Sequence, residues 1–298
     1  MNPAPPAAVE DEVRERFASA GVRGVLHARR LDPDRDEVAV DADRPVVMAS
    51  VYKLPVLAAF GRAVDAGALD PTAPVTLDPD ERTPGATGIA AMADPVTASW
   101  RDLARSMIAV SDNAAGDALL DAVGLDAVRR TLGGLGLTAT RIEGGTRDVY
   151  RILTDDTGAG DAASAMDLLR DNDHLTHSRA FDPFLASSTT ARDMTALLAA
   201  VWADEAASPE QCAFMRTVLH QQIWPHRLSS GFPYDGVRVA GKTGTLGPLR
   251  HEVGVVHHRH ETPIAVAVLT EAARADPNQP RVDAAIGAVA ALAVATLR

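Results

Sequence analysis

The spacing of apolar residues changes twice along the chain. Short runs with strand character lie towards both ends, and helical spacing fills the middle. Residues 10–20 read as a short helix, and residues 22–28 and 37–40 as strands around the turn-forming stretch Asp32-Pro-Asp-Arg-Asp36. After Pro45 the pattern becomes helical. Residues 54–66 form a helix ending at Gly67; 100–110 and 114–123 form two more; 191–203 and 209–221 follow. Strands return at 236–240, 252–257 and 263–269, and 283–297 is a closing helix.

This order predicts an α/β fold whose sheet layer is built from both termini, with an all-helical region inserted. The α/β subdomain is expected over 10–45 and 205–298, and the helical subdomain over 46–204. Residues 1–9, rich in Pro and Ala, are expected to be a disordered tail. Residues 144–188 resist assignment: they carry Gly144-Gly145, Gly158-Ala-Gly160 and several Asp residues. An aperiodic connection of that length is expected to be a functional loop or lid.

Composition narrows the partners. At 298 residues the chain suits one large domain or two intimate subdomains, and its 46% hydrophobic content is ample for a core. Aromatics are only 4%, replaced by Ala and small aliphatics. A net charge of -11 argues against nucleic acid or an anionic membrane as partner. No apolar run approaches the roughly 18 residues of a membrane span. The N-terminus shows neither the basic nor the apolar region of a signal peptide, so a cytoplasmic location is expected, or a secreted one if a leader has been removed. The single cysteine, Cys212, is expected to pack as a small hydrophobe. Nothing points to a cofactor. His257-His-Arg-His260-Glu261 gathers possible metal ligands, but a solvated hairpin turn accounts for it, so no metal is expected. Gly133-Gly-Leu-Gly136 lacks the strand and helix of a nucleotide fingerprint and reads as a loop.

The candidate chemistry starts from two lysines. The chain holds only Lys53 and Lys242, against 27 arginines. Compositional drift would explain this, but so would two places where Arg fails. A buried Lys can lose its proton and act as a base, whereas Arg cannot. Lys53 follows Ser50 by three residues, so a helix beginning here would put both on one face with its positive end towards the serine. Pro55 falls among the first helical positions, where its missing N–H costs nothing. Ser111-Asp-Asn113 lies between two helices. It can relay a proton and bind an amide, or simply cap a helix. Lys242-Thr-Gly-Thr245 follows a strand; Gly244 allows a ligand to approach the backbone, or the segment is an ordinary turn.

Together, in this order, these motifs resemble the serine β-lactamase and penicillin-binding protein family, most of all its class A β-lactamases. The flanks agree: residues 103–124, Thr189-Thr-Ala-Arg-Asp-Met194, Arg250-His-Glu-Val-Gly-Val-Val256 and the strand after it are similar to that family's segments. The resemblance spans roughly residues 20–298. It implies a β-lactamase/transpeptidase-like fold: an antiparallel sheet flanked by terminal helices, with the helical subdomain inserted. It implies Ser50 as acylated nucleophile and Lys53 as base or part of the proton path. Ser111 would protonate the leaving nitrogen, and Asn113 would hold the substrate's amide side chain. Lys242 would supply positive potential, and Thr243 and Thr245 would bind a carboxylate beside Gly244. The backbone N–H groups of Ser50 and Thr245 would form the oxyanion hole. Arg227 and Arg250 both lie where class A enzymes place a carboxylate-binding arginine.

One departure stands out. Class A enzymes carry Glu-x-x-Leu-Asn after Ser-Asp-Asn, and its glutamate activates the deacylating water. The matching stretch here is Thr140-Arg-Ile-Glu-Gly-Gly-Thr-Arg-Asp148, which puts Thr146 at the base position and Glu143 three residues early. Glu143 either serves as a displaced base or braces the loop, and bracing is the preferred reading. The expected activity is a serine hydrolase working through an acyl-enzyme on a small carboxylate-bearing amide, lactam or ester. The rivals are an acyltransferase or esterase on the same fold, and a penicillin-binding protein that stays acylated.

Overall fold

A computed structural model describes residues 6–32, 36–170 and 178–298. The chain begins with α1 (Pro6–Ala20), followed by β1 (Val22–Arg30), β2 (Glu37–Val40) and the two-residue β3 (Val46–Val47). A 3₁₀ turn, Ala49–Tyr52, leads into α2 (Lys53–Asp65). The helical region continues through the hairpin β4 (Pro74–Leu77) and β5 (Val96–Ser99), then α3 (Trp100–Ala109), α4 (Asn113–Val123) and α5 (Leu125–Gly134). Next come α6 (Thr146–Thr157), α7 (Ala162–Leu168), β6 (Ser188–Thr189), α8 (Ala191–Trp202) and α9 (Pro209–Leu219). The chain closes with β7 (Val237–Leu246), β8 (Leu249–His258), β9 (Ile264–Ala272) and α10 (Pro280–Leu297).

Five strands form one antiparallel sheet in the order β2-β1-β9-β8-β7, so both termini do build the same layer. One face packs on α1 and α10 through Val13, Phe17, Leu26, Val266, Ile286 and Val289. The other face meets the helical region, whose core holds Leu57, Phe60, Met107, Leu119 and Leu198 together with Val253 and Ala267 of the sheet. A third cluster, with Leu153, Leu169 and Leu246, seats α6 and α7 against the end of β7. Cys212 is buried in the helical core.

Several boundaries differ from expectation. The N-terminal helix starts at Pro6, so residues 6–9 are not tail; Val9 is anchored under the sheet one turn before Val13. Residues 1–5 lie outside the described residues. The helical layer does not stop at 204: α9 buries Cys212, Met215, Val218 and Leu219 in it. Residues 144–188 are not one loop but hold α6 and α7. Gly133 and Gly134 finish α5, a helix not anticipated, while Gly136 turns the chain at φ 73°. His257 sits in β8, as the expected strand 252–257 has it, and His258 joins it there rather than in the turn; His257 Nε2 accepts a hydrogen bond from Trp202 Nε1 at 2.9 Å. The 18-residue α10 is long and apolar enough to cross a membrane, contrary to the reading of the sequence; here its buried face covers the sheet.

Candidate active site

The three motifs, far apart in sequence, meet where α2, the α3–α4 turn and the edge strand β7 converge. Ser50 lies in the 3₁₀ turn that feeds α2, and Lys53 is the first residue of that helix. Ala49, just before the serine, holds φ 45°, a left-handed conformation that costs a non-glycine residue energy and here presents Ser50 to the cleft. Ser111 also has positive φ, 61°. Asp112 caps α4 by accepting from Ala115 N and also ties down Ile89 N and Ser106 Oγ. The helix-cap reading of Ser-Asp-Asn holds for the middle residue. Asp112 is the cap, and Ser111 and Asn113 face the lysines.

Lys53 is fully buried. Its Nζ donates to Ser111 O at 2.7 Å and to Asn113 Oδ1 at 2.9 Å, and lies 3.4 Å from both Ser50 Oγ and Ser111 Oγ. Lys242, equally buried, donates to Ser111 Oγ at 2.9 Å and to Thr243 O at 2.8 Å. A chain of polar atoms thus runs from Ser50 through Lys53 and Ser111 to Lys242. Burial brings the Lys53 ammonium down to about 8, opposed by the carboxylates of Asp117 and Asp112. Burial also pushes Lys242 well down, and the neighbouring Lys53 charge adds to it. Two buried amines thus flank one hydroxyl at hydrogen-bonding distance or close to it.

Strand β7 carries Lys242 to Thr245 along the sheet edge, longer than the expected 236–240. Gly244 allows a close approach there: a Cβ would stand 3.0 Å from Met48 O and from Val51 Cγ2, at the turn that holds Ser50. Thr243 N–H points away from β8 and donates to Gln222 Oε1 at 2.6 Å. The two-residue period of a strand turns Thr245 N–H the same way, towards the cavity it shares with Ser50. Gln222 is itself held by Glu252, buried beneath β7, whose carboxyl burial raises to about 7.

Arg227 is buried and fully engaged. It donates to Asp283 Oδ1, Gly244 O, His251 O and Thr245 Oγ1, at 2.7–2.9 Å. Arg250, also buried, donates to the carbonyls of Gly247, Leu249, Asp276 and Pro277. Both line the open cleft with Ser50, Ser111, Asn113, Thr243 and Thr245.

The structure does not bring Glu143 into this group. Its carboxylate meets Arg141 at 2.8 Å and Arg129 at 3.2 Å on the surface. Thr146 begins α6, with its Oγ1 3.1 Å from Tyr52 OH and 3.5 Å from Asn113 Oδ1. Asp117 joins these parts, accepting from Tyr52 OH, Thr83 Oγ1 and the N–H groups of Thr146 and Arg147. Asp117, Tyr52, Tyr150 and Gln222 escape a reading of the sequence alone. The visible signal for Tyr52 and Asp117 is position: each lies inside or four residues beyond a motif. Gly116 is a further one, since a Cβ there would stand 2.8 Å from Lys53 Cε. Among the described residues no His, Cys, Asp and Glu group could hold a metal ion.

The model of the β-lactamase enzyme family matches residues 8–297. The chain belongs to that family. A β-lactamase regulatory protein, BlaB, of Streptomyces cacaoi is 30% identical over 305 residues, covering 94% of each chain. Among solved structures, a β-lactamase of Sphaerobacter thermophilus superposes with TM-score 0.77 at 25% identity, covering 96% of each chain. An ancestral class A β-lactamase does so at 0.77 and 23% identity, over 96% of this chain and 99% of that one. A point mutant of PBP-A, solved as an acyl-enzyme complex with penicillin G, gives 0.77 at 19%, over 99% of each chain. These likenesses establish the β-lactamase/transpeptidase-like fold, with its antiparallel sheet and flanking helices.

Proposed function

We propose that this protein opens a carboxylate-bearing lactam or amide on Ser50 and then holds the acyl group, acting as a covalent acceptor or sensor rather than a fast hydrolase. One observation carries the reading. Among the described residues no Asp, Glu or His lines the recess between Ser50 and α6; Thr146, the residue that the sequence match sets against the family's base, lines it instead. That a relative is named as a regulatory protein agrees with it.

In the proposed acylation, neutral Lys53 takes the Ser50 proton as Oγ attacks the carbonyl carbon. Ser50 and Thr245 N–H groups hold the oxyanion. As the C–N bond breaks, the nitrogen takes a proton from Ser111, which Lys53 or Lys242 replaces. Thr243 and Thr245 hold the carboxylate, with Arg227 fixing the Thr245 hydroxyl. Deacylation lacks a carboxylate relay: Glu143 braces its two arginines, and water approaching the ester from the recess meets no Asp, Glu or His among the described lining residues. Incubation with a fluorescent penicillin should add one acyl mass per chain, and Ser50→Ala should remove it. Labelling that persists in Ser50→Ala refutes the assignment.

A further inference from the structure

Strand β7 is the last of its sheet, so the backbone groups on its outer side face no neighbouring strand. At Thr243 both are nevertheless taken by side chains. The N–H donates to Gln222 Oε1 at 2.6 Å, and the C=O accepts from Lys242 Nζ at 2.8 Å. Gln222 in turn gives its Nε2 to Glu252 Oε1 at 2.6 Å. The other oxygen of that fully buried carboxyl accepts from Leu228 N–H at 2.7 Å. Glu252 stands opposite Thr243 in the β7–β8 register. Gly241 leaves room for the pair: a Cβ there would lie 3.1 Å from Glu252 Oε1 and 3.4 Å from Gln222 Nε2. The next residue along, Ile223, is fixed to the end of α3, its N–H donating to Ala109 O at 3.0 Å. Gln222 therefore joins the sheet edge to the helix that leads into the Ser111 turn.

This chain of bonds has a direction. An ionised carboxyl only accepts, so Glu252 takes one hydrogen from Leu228 and one from Gln222. That fixes which way round the Gln222 amide sits, with its oxygen on Thr243 N–H. Thr243 lines the open cleft, and Lys242 is held by the Thr243 carbonyl. We propose that Gln222 and Glu252 are positioning residues for the substrate's carboxylate: acting through Thr243 and Lys242, they set how strongly the protein prefers carboxylate-bearing acyl donors. The inference rests on acylation at Ser50 and on Thr243 as a carboxylate-binding residue.

The test uses two benzoylglycyl thioesters, of thiophenol and of 3-mercaptobenzoic acid, which differ only in the leaving-side carboxylate. Ser50 Oγ forms the new C–O bond, the C–S bond breaks, the aryl thiolate departs and the serine proton passes to Lys53. Rates come from the thiolate burst, with intact mass confirming one acyl group. The pH is held at 8, above the value of about 7 to which burial raises the Glu252 carboxyl. The ratio of the two rates cancels any effect common to both esters. The parent should favour the carboxylate ester at least about tenfold. Glu252→Gln forces one donor to face another, at Leu228 or at Thr243, and should bring the ratio to within about threefold of parity. Adding Gln222→Glu exchanges the two side chains and restores every match: the carboxylate at 222 accepts from Thr243 and from the amide at 252, whose oxygen accepts from Leu228. That double variant should return to within about threefold of the parent ratio. Gln222→Ala, at the half-buried edge, should also lose the preference and gives the readout should the position-252 variants fold poorly. A parent-like ratio in Glu252→Gln and Gln222→Ala, or an exchanged pair no better than Glu252→Gln alone, would overturn the positioning role and leave acylation and carboxylate binding standing. A parent protein indifferent to the carboxylate refutes carboxylate binding, and labelling by neither ester refutes acylation; the positioning role falls with either.

Discussion

Lys53 offers the sharpest test of the proton path, because its pKa sets a scale. With the ammonium held near 8, about one tenth of the molecules carry the neutral base at pH 7 and about one hundredth at pH 6. The lowered pKa means that base is gained as pH rises. The acylation rate should climb roughly tenfold per pH unit below 7 and level off above 8. Lys53→Arg keeps a cation beside Asn113 but cannot accept the serine proton. It should slow acylation by about 10²–10⁴-fold and lose the pH profile. The assay is the second-order rate of labelling by a fluorescent penicillin from pH 5.5 to 9, checked by intact mass. A flat profile in the parent protein, or parent-like rates for Lys53→Arg, would show that another group takes the proton.

Three further outcomes follow from the geometry. Gly116→Ala places a Cβ 2.8 Å from Lys53 Cε; displacing that amine should slow labelling at least about tenfold with the circular dichroism spectrum unchanged. Glu143→Gln should leave the acyl-enzyme lifetime within about twofold and cost under about 1 kcal/mol in a urea melt, since both its ion pairs are exposed. Arg227→Lys cannot reproduce the fork that reaches Asp283, two carbonyls and Thr245; thermal unfolding should report a loss of about 3 kcal/mol.

The sequence reveals the site better than the fold's edges. Lys53, Ser111 and Lys242 are legible because chemistry fixes their residue types, and two lysines among many arginines draw the eye. Strand β7 reads as ending at 240 because Lys-Thr-Gly-Thr looks like a turn; its place at the sheet edge comes from pairing with 249–258, which local pattern does not show. Helix α6 is hidden by the glycines around it, although they mark its ends. Gly145 N–H is capped by Asp148, and Gly158 closes the helix in the left-handed region. The early start of α1 depends on the sheet that buries Val9. Asp117 gives only a positional hint in the sequence, because its partners, Tyr52, Thr83 and Thr146, are brought together only by folding.

The lifetime of the acyl-enzyme tests the central claim most directly. Protein mixed with a slight excess of penicillin, then freed of it and weighed intact over time, should keep its adduct for minutes to hours, since a positioned base worth about 10²–10⁴-fold is missing. Product should stop near one equivalent per chain. Thr146→Glu should shorten that lifetime by placing a carboxylate beside Asn113 and Tyr52. Return of unmodified protein within seconds, with many equivalents of penicillin consumed, would contradict the account and make this chain a working hydrolase.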